Sequence, residues 1–142
     1  MREILFRGKV ADEPDEWVYG YLIDEKTIFQ KEVHRQSKCC GCGSFDVKEE
    51  TIGQYTGLTD KNGTKIFEGD IVKGCSKSYK PNFLCEIYFN ENMCHYGLTI
   101  NRGSYTKHQT HDWLELTKAK AKKLEVIGNI HNNPELLQGE EV

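Results

Sequence analysis

Three of the six cysteines in this 142-residue chain are clustered, at Cys39, Cys40 and Cys42. Cys39 and Cys42 have the C-x-x-C spacing of half a zinc site, in which Zn²⁺ binds four thiolate or imidazole ligands. Cys40 or His34 would supply a third ligand. A second C-x-x-C is missing, so the other half would come from elsewhere: Cys75, Cys85, Cys94, His95, His108 or His111. The alternative, which the lone motif favours, is a set of free thiols with no cofactor.

A basic stretch nearer the C-terminus is the second candidate, since clustered lysines neutralise phosphates. It predicts a nucleic-acid-binding surface on which Tyr79, Tyr96 and Tyr105 would stack on bases. The alternative is a solvated helix face. A formal net charge of −3, a pI near 6.0 and the lack of aromatic residues within the run favour that alternative. The basic residues are Lys118, Lys120, Lys122 and Lys123.

Recognisable catalytic motifs are missing from the sequence: it has no glycine-rich phosphate loop, no H-E-x-x-H and no G-x-S-x-G. We therefore predict a non-enzymatic protein with no catalytic residues, and a metal-supported enzyme is a minor alternative. No apolar run approaches the roughly 20 residues that cross a bilayer, so no membrane partner is expected. Arg7 and Lys9 interrupt the apolar stretch that a signal peptide needs, which favours a reducing cytoplasm.

Short segments in which apolar and polar residues alternate must form the strands that position these residues. Residues 4–10, 17–23 and 27–33 carry aromatic and branched side chains with a period of two, which predicts a meander of three strands. Gly20 inside the second segment indicates a bulge or a close approach of backbones. Residues 34–46 are predicted as a cysteine-rich surface loop, because the stretch begins polar and without periodicity.

Turn residues predict further strands in the second half of the chain. Residues 60–63 contain Asn-Gly, which accepts the positive φ angles of a hairpin turn, and residues 90–92 separate two more strands. Residues 116–124 favour helix, and Asn133 and Pro134 resemble a helix start. Many short strands indicate an all-β barrel or sandwich in a single domain, residues 1–142.

Three motifs in order resemble the YopX family of phage and prophage proteins. The central motif is ETIGQYTGLTDKNG at residues 50–63, continued by IFEGDIV at residues 66–72. The N-terminal motif is MREILFR, followed by WVYGYL at residues 17–22. The C-terminal motif is LEVIGNIHNNPELL at residues 124–137. The resemblance is weaker between residues 75 and 123.

The resemblance implies a mostly β fold, an SH3-like small β-barrel with elaborations and a short C-terminal helix. It also implies a phage or prophage origin and the cytoplasm of a bacterial host, and it supplies no catalytic set. Motif residues of unassigned role could form a site surface. The structural alternative, which we favour, has the glycines serving turns and Tyr55 filling the core. The motif residues are Gln54, Tyr55, Gly57, Asp60, Gly69 and Asp70.

Aromatic residues exceed what one small core needs, and Trp and Tyr are enriched at protein interfaces. This surplus predicts a partner protein or a homo-oligomer, with nucleic acid as the second choice of partner. A monomer with a well-filled aromatic core is the alternative. The residues concerned are Trp17, Tyr19, Tyr21, Phe67 and Trp113.

Overall fold

Runs of aromatic and β-branched residues, broken by Gly, Asn and Asp, form short strands throughout the part of the chain that the structure describes. That part of the computed structural model comprises residues 2–30, 43–74, 84–100 and 114–137. The chain divides into two compact units, Met1–Tyr55 and Thr56–Val142. One strand, β5, begins in the first unit and ends in the second.

The first unit is an antiparallel sheet built from five strands: β1 Phe6–Lys9, β2 Trp17–Asp24, β3 Thr27–Gln30, β4 Ser44–Asp46 and the start of β5 Gly53–Thr59. Their order across the sheet is β4-β3-β2-β1-β5. A 3₁₀ turn at Glu49–Thr51 precedes β5. One face of the sheet carries the core, whose residues are Val18, Ile28 and Val47 with Phe6, Val10, Leu22, Phe45 and Ile52 packed against them.

Gly20 permits a close approach of β3 to β2, as its place in the sequence predicts. A Cβ atom built at Gly20 would collide with the carbonyl oxygen of Phe29 and lie 2.7 Å from its carbonyl carbon. Gly20 is buried and pairs with Phe6 of β1 and Gln30 of β3. A side chain at this position would therefore force the strands apart.

The second unit contains the end of β5 and six further strands: β6 Lys65–Phe67, β7 Asp70–Lys73, β8 Leu84–Asn90, β9 His95–Ile100, β10 Leu114–Glu115 and β11 Glu125–Asn129. The last five form an antiparallel sheet in the order β10-β9-β8-β7-β11, and β6 lies beside β5. A helix, α1 Lys118–Ala121, follows β10, and a 3₁₀ turn at Pro134–Leu137 follows β11. The buried core comprises Ile66, Val72, Cys85, Ile87, Leu98, Leu116, Ala121 and Leu124.

The mostly β prediction is confirmed. The strands form two sheets, and no closed barrel is found among the described residues. Hairpin turns stand at residues 60–63 and after Asn90, as predicted. None of the described residues belongs to a helix long and apolar enough to cross a membrane.

Three local predictions differ from the structure. The helix predicted over residues 116–124 is reduced to α1, because Leu124 turns toward β11 and its carbonyl accepts a hydrogen bond from the Lys61 amide. The second predicted helix start is only the 3₁₀ turn at Pro134–Leu137. Of the predicted loop 34–46, Ser44–Asp46 forms β4, because Ser44, Phe45 and Asp46 pair with β3, and residues 34–42 lie outside the described part.

Candidate functional site

The predicted zinc ligands His34, Cys39, Cys40 and Cys42 lie outside the described residues, as do Cys75, His108 and His111. Of the other candidate ligands, Cys85 is buried in the core of the second unit, whereas Cys94 is exposed in the turn between β8 and β9. The described residues contain no group of three or more His, Cys, Asp or Glu side chains that could hold a metal ion. The zinc site at the C-x-x-C motif stays a prediction.

The lysine run lies on and just after α1. The Thr117 hydroxyl caps this helix by accepting from the Lys120 amide, 3.2 Å away. The Lys120 ammonium donates to the carbonyl oxygen of Glu115 at 3.0 Å. Lys118, Lys122 and Lys123 are exposed. Three of the four predicted phosphate-binding lysines are thus available to solvent, and the fourth makes a local hydrogen bond.

Tyr55 is buried and Gly69 lies in the turn before β7, as the structural alternative expects, whereas Gly57 lies inside β5 and not in a turn. Tyr55 is 6% exposed, and its amide donates to the Leu5 carbonyl. Gln54, half-buried on β5, pairs with Phe6 of β1. Gly57 and Gly69 have φ angles of +88° and +84°, which residues with a Cβ rarely adopt.

Asp60 is a buried carboxylate that joins the β5–β6 turn to the start of β11. One carboxylate oxygen, Oδ1, accepts from the amides of Asn62 at 2.8 Å and Thr64 at 2.9 Å. The other, Oδ2, accepts from the Val126 amide at 2.9 Å. Next to it, Lys61 forms an ion pair with Glu125, with 3.4 Å between Nζ and Oε2.

Ionisation of Asp60 is favoured inside the protein. Burial raises its pKa, but the hydrogen bonds from the amides of Val126, Thr64 and Asn62, helped by the charge of Lys61, outweigh burial. The pKa of Asp60 therefore lies below its ordinary value. A general acid or base needs a pKa close to the working pH, and Asp60 lies on the wrong side for that task. Its oxygens are engaged in holding backbone.

Asp70 and Asn129 hold two turns at paired ends of β7 and β11. Asp70 is 1% exposed, and its Oδ2 accepts from the Phe67 amide at 2.7 Å. Asn129, opposite Asp70 in the ladder, accepts through Oδ1 from the amides of His131 and Asn132 at 3.0 and 2.9 Å. These polar side chains stabilise turns, as Asp60 does, and form no set of groups suited to catalysis.

A patch of exposed apolar side chains lies on the first unit, on the sheet face opposite its core. Tyr19, Tyr21 and Ile23 alternate along β2 and are 44%, 49% and 58% exposed, and Phe29 of β3 is 40% exposed. Phe29 stands directly opposite Tyr21 in the β2–β3 ladder. We call these four residues the aromatic face. Sequence reasoning singled out Tyr19 and Tyr21 but missed Ile23 and Phe29. Of the other aromatic residues predicted for an interface, Phe67 is buried, Trp17 is half-buried and Trp113 lies outside the described residues.

Two basic side chains of the neighbouring strand β1 border the aromatic face. The guanidinium of Arg7 lies 4.9 Å from the centre of the Trp17 ring, and the ammonium of Lys9 lies 5.6 Å from it. Both distances are those of cation–π contacts. Arg7 pairs with Tyr19 in the β1–β2 ladder, and Lys9 pairs with Trp17.

A scan against protein-family models matches residues 5–138 to the family described as YopX protein. A search of curated proteins finds no match. Among solved structures, the chain is similar to the crystal structure of protein EF1440 from Enterococcus faecalis, with a TM-score of 0.58 and 25% sequence identity. That similarity covers 96% of this chain and 99% of the other. Since the family match spans nearly the whole sequence, the chain belongs to the YopX family.

Proposed function

We propose that this chain is a non-enzymatic binding module and that the aromatic face is where a partner protein docks. The observation that carries the proposal is the grouping of four exposed large apolar side chains on two neighbouring strands, Tyr19, Tyr21, Ile23 and Phe29. Exposed apolar side chains that are grouped, and not scattered singly, mark interaction sites on folded proteins, and aromatic residues are enriched in such sites.

The chemistry of the motif residues supports the non-enzymatic part of the proposal. The buried carboxylates Asp60 and Asp70 accept hydrogen bonds from backbone amides, so they act within the fold. Family membership agrees with a proposed phage or prophage origin and with action in the cytoplasm of a bacterial host. The SH3-like small barrel belongs to the same proposal, because it follows from the family resemblance.

The aromatic face is tested by replacing Tyr21 and Phe29 together with serine. Phe89→Ser is the matched control, because Phe89 of β8 is 41% exposed and lies in the second unit. We expect the wild-type chain to retain a protein partner, or a second copy of itself, at micromolar concentration. The double variant should lose at least about tenfold in affinity, the typical effect of removing two aromatic contacts.

Two readouts are needed: light scattering for self-association, and quantitative co-purification from induced host cells for a different partner. Circular dichroism checks that the variants are folded. A wild-type chain that stays monomeric and retains no partner would contradict the proposal. Equal retention of the same partner by the wild type and the double variant would contradict the assignment to this face.

The second candidate function is nucleic-acid binding, favoured by the exposed side chains of Lys118, Lys122 and Lys123 on one short segment. Weighing against it, residues 56–142 carry eleven Lys and Arg against eleven Asp and Glu, so the unit that contains these lysines has no formal net charge. A phosphate-binding surface needs a local excess of positive charge. We therefore place protein binding first.

A further inference from the structure

We propose that the partner segment on the aromatic face is basic: an extended stretch in which Lys or Arg residues accompany apolar ones. This inference rests on the proposed function and names the chemistry of its partner. It follows from the shape of the face, from the charges at its two ends and from the contacts that basic side chains already make beside it.

The shape of the face suits a short extended segment. Tyr19, Tyr21 and Ile23 lie along β2, and the four residue steps from Tyr19 to Ile23 span roughly 13 Å. Phe29 widens the strip by one strand, because it stands beside Tyr21 at a cross-strand spacing of about 5 Å. A partner of about four to five residues in an extended or polyproline conformation has the length of this strip.

Carboxylates stand at both ends of β2. The loop from β1 to β2, residues 11–16, carries the exposed side chains of Asp12, Glu13, Asp15 and Glu16. The turn from β2 to β3 carries Asp24 and Glu25 together with Lys26, all exposed, so it keeps an excess of negative charge. A segment that runs along β2 therefore passes from one acidic group to the other.

Asp46 adds a carboxylate on the β4 side. It pairs with Thr27 of β3, two residues before Phe29, so Thr27 and Asp46 share the side of the sheet that bears Phe29. Asp46 is exposed. Negative charge therefore also borders the aromatic face on the β4 side, whereas Arg7 and Lys9 border it on the β1 side.

The net charge of the chain is concentrated in this unit. Residues 1–55 carry eleven Asp and Glu against eight Lys and Arg, so the whole formal charge of −3 belongs to the first unit. Within the described residues of that unit, the imbalance is ten acidic residues against five basic ones. Two of those five, Arg7 and Lys9, stand over the Trp17 ring.

Asp24 remains ionised at neutral pH. Its Oδ1 accepts from the Lys26 amide at 3.0 Å, and this hydrogen bond, with one from the Thr27 hydroxyl, holds the pKa of Asp24 below its ordinary value. The acidic end formed by the β2–β3 turn therefore keeps its charge under the conditions in which a partner would bind.

Basic side chains match both parts of this surface. The aliphatic stems of Lys and Arg cover aromatic rings while their charged heads reach carboxylates. Arg7 and Lys9 show the ring contact within the chain itself, over Trp17. A second copy stacked on the same face would bring acidic ends together, and a nucleic acid would bring phosphates to them. Either of these occupants would place its negative charges next to the carboxylates of the first unit, and like charges repel.

The test is selection from a random library of displayed peptides about twelve residues long, a length that covers the face with room on both sides. The library is selected on the full chain, and peptides that also bind the Tyr21→Ser/Phe29→Ser variant are discarded. We expect the remaining peptides to carry net positive charge together with apolar residues. A synthetic peptide from this set is then titrated against the chain by tyrosine and tryptophan fluorescence.

Two comparisons sharpen the titration. Raising the salt from about 50 mM to about 500 mM should weaken binding about tenfold, since exposed charges are then screened. The triple variant Asp12→Asn/Glu13→Gln/Asp15→Asn should weaken it by about fivefold or more, the order expected of several lost ion pairs. The matched control Glu91→Gln/Glu115→Gln/Glu135→Gln removes three exposed carboxylates from the second unit and should leave the affinity unchanged.

Other outcomes separate this inference from the proposed function. Face-dependent peptides that are neutral or acidic overturn the basic segment and leave the aromatic face as a protein-binding surface. Self-association that the Tyr21→Ser/Phe29→Ser variant abolishes, with no face-dependent peptide, makes a second copy the occupant and also overturns the inference. If no peptide binds at the face, the inference is wrong. If, in addition, neither a second copy nor a co-purified partner depends on the face, the face assignment is wrong as well.

Discussion

Asp60 combines burial with a full negative charge because three backbone amides point at its carboxylate. Two of the amides belong to the β5–β6 turn, and the third belongs to Val126, 66 positions along the chain. The Asp60 carboxylate therefore connects a turn to a strand that is distant in the sequence. Its cost of burial is offset only while all three hydrogen bonds are made.

Replacing Asp60 with alanine should destabilise the protein by about 2–4 kcal/mol, because the amides of Asn62, Thr64 and Val126 lose a charged acceptor in a partly buried place. Urea unfolding followed by fluorescence measures the loss. The control Asp12→Ala removes an exposed carboxylate of the β1–β2 loop and should change stability by less than about 0.5 kcal/mol. Equal stability of the two variants would refute this role for Asp60.

The same residue predicts how stability depends on acid. The folded pKa of Asp60 lies below its unfolded value of 3.8, so its contribution is fully present above that unfolded value. The contribution is lost as the pH falls through the folded pKa. In Asp60→Asn this part of the acid dependence disappears, and the stability curves of variant and wild type should converge at low pH.

Among the strands, the pairing of β2 with β3 also depends on a single residue. Gly20 lets the two strands lie against each other, because it has no Cβ to meet the backbone of Phe29. Tyr21 and Phe29, the central pair of the aromatic face, belong to the ladder that Gly20 helps to form. The face thus depends on a residue that contributes no side chain to it.

Gly20→Ala should cost about 3 kcal/mol or more, because the new Cβ would meet backbone of β3 that cannot move without breaking the ladder. Gly63→Ala is the comparison: Gly63 has φ +81°, and nothing lies within 4 Å of a Cβ built there. Only backbone strain of about 1–2 kcal/mol applies to it. Thermal unfolding of both variants distinguishes the effects, and a Gly20→Ala as mild as Gly63→Ala would contradict the close approach.

Local signals predicted these strands well. The Asn62-Gly63 pair, the alternation in residues 17–23 and the glycine at position 20 each act over a few residues, so the sequence shows them directly. The helix predicted at residues 116–124 was too long, because the bond from the Lys61 amide to the Leu124 carbonyl joins distant parts of the chain. Long-range contacts of this kind override helix propensity.

The aromatic face was predictable only in part. Alternation places Tyr19, Tyr21 and Ile23 on one side of β2, but it does not say which side the core occupies. Phe29 joins them because it pairs with Tyr21 in the β2–β3 ladder. The sequence does not fix this register to within one residue, and a shift of one residue would pair Phe29 with a residue of the other face. Exposure is a property of the folded chain, so the face emerged from the structure.

At the scale of the whole molecule, the distribution of formal charge between the two units bears on function. The first unit is acidic and the second has no formal net charge, so the chain offers phosphates little attraction as a whole. The clustered cysteines at positions 39, 40 and 42 lie outside the described residues, and zinc there stays a prediction.

At this scale we expect no binding of single- or double-stranded DNA or RNA, even at low salt. A filter-binding assay with a salt titration measures it. Salt-sensitive binding that Lys118→Gln/Lys122→Gln/Lys123→Gln removes would instead establish the second candidate function, because a lysine that neutralises a phosphate contributes about one unit to the salt slope.

The strand β5 also limits how such a chain can be recombined. Gly53 pairs with Arg7, whereas three residues later the Thr56 hydroxyl donates to the Ile66 carbonyl at 2.8 Å. A crossover between two related genes inside the codons for Gly53–Thr59 would join half a strand from each parent. Viable hybrids should therefore inherit β5 whole, with their breakpoints in the flanking turns.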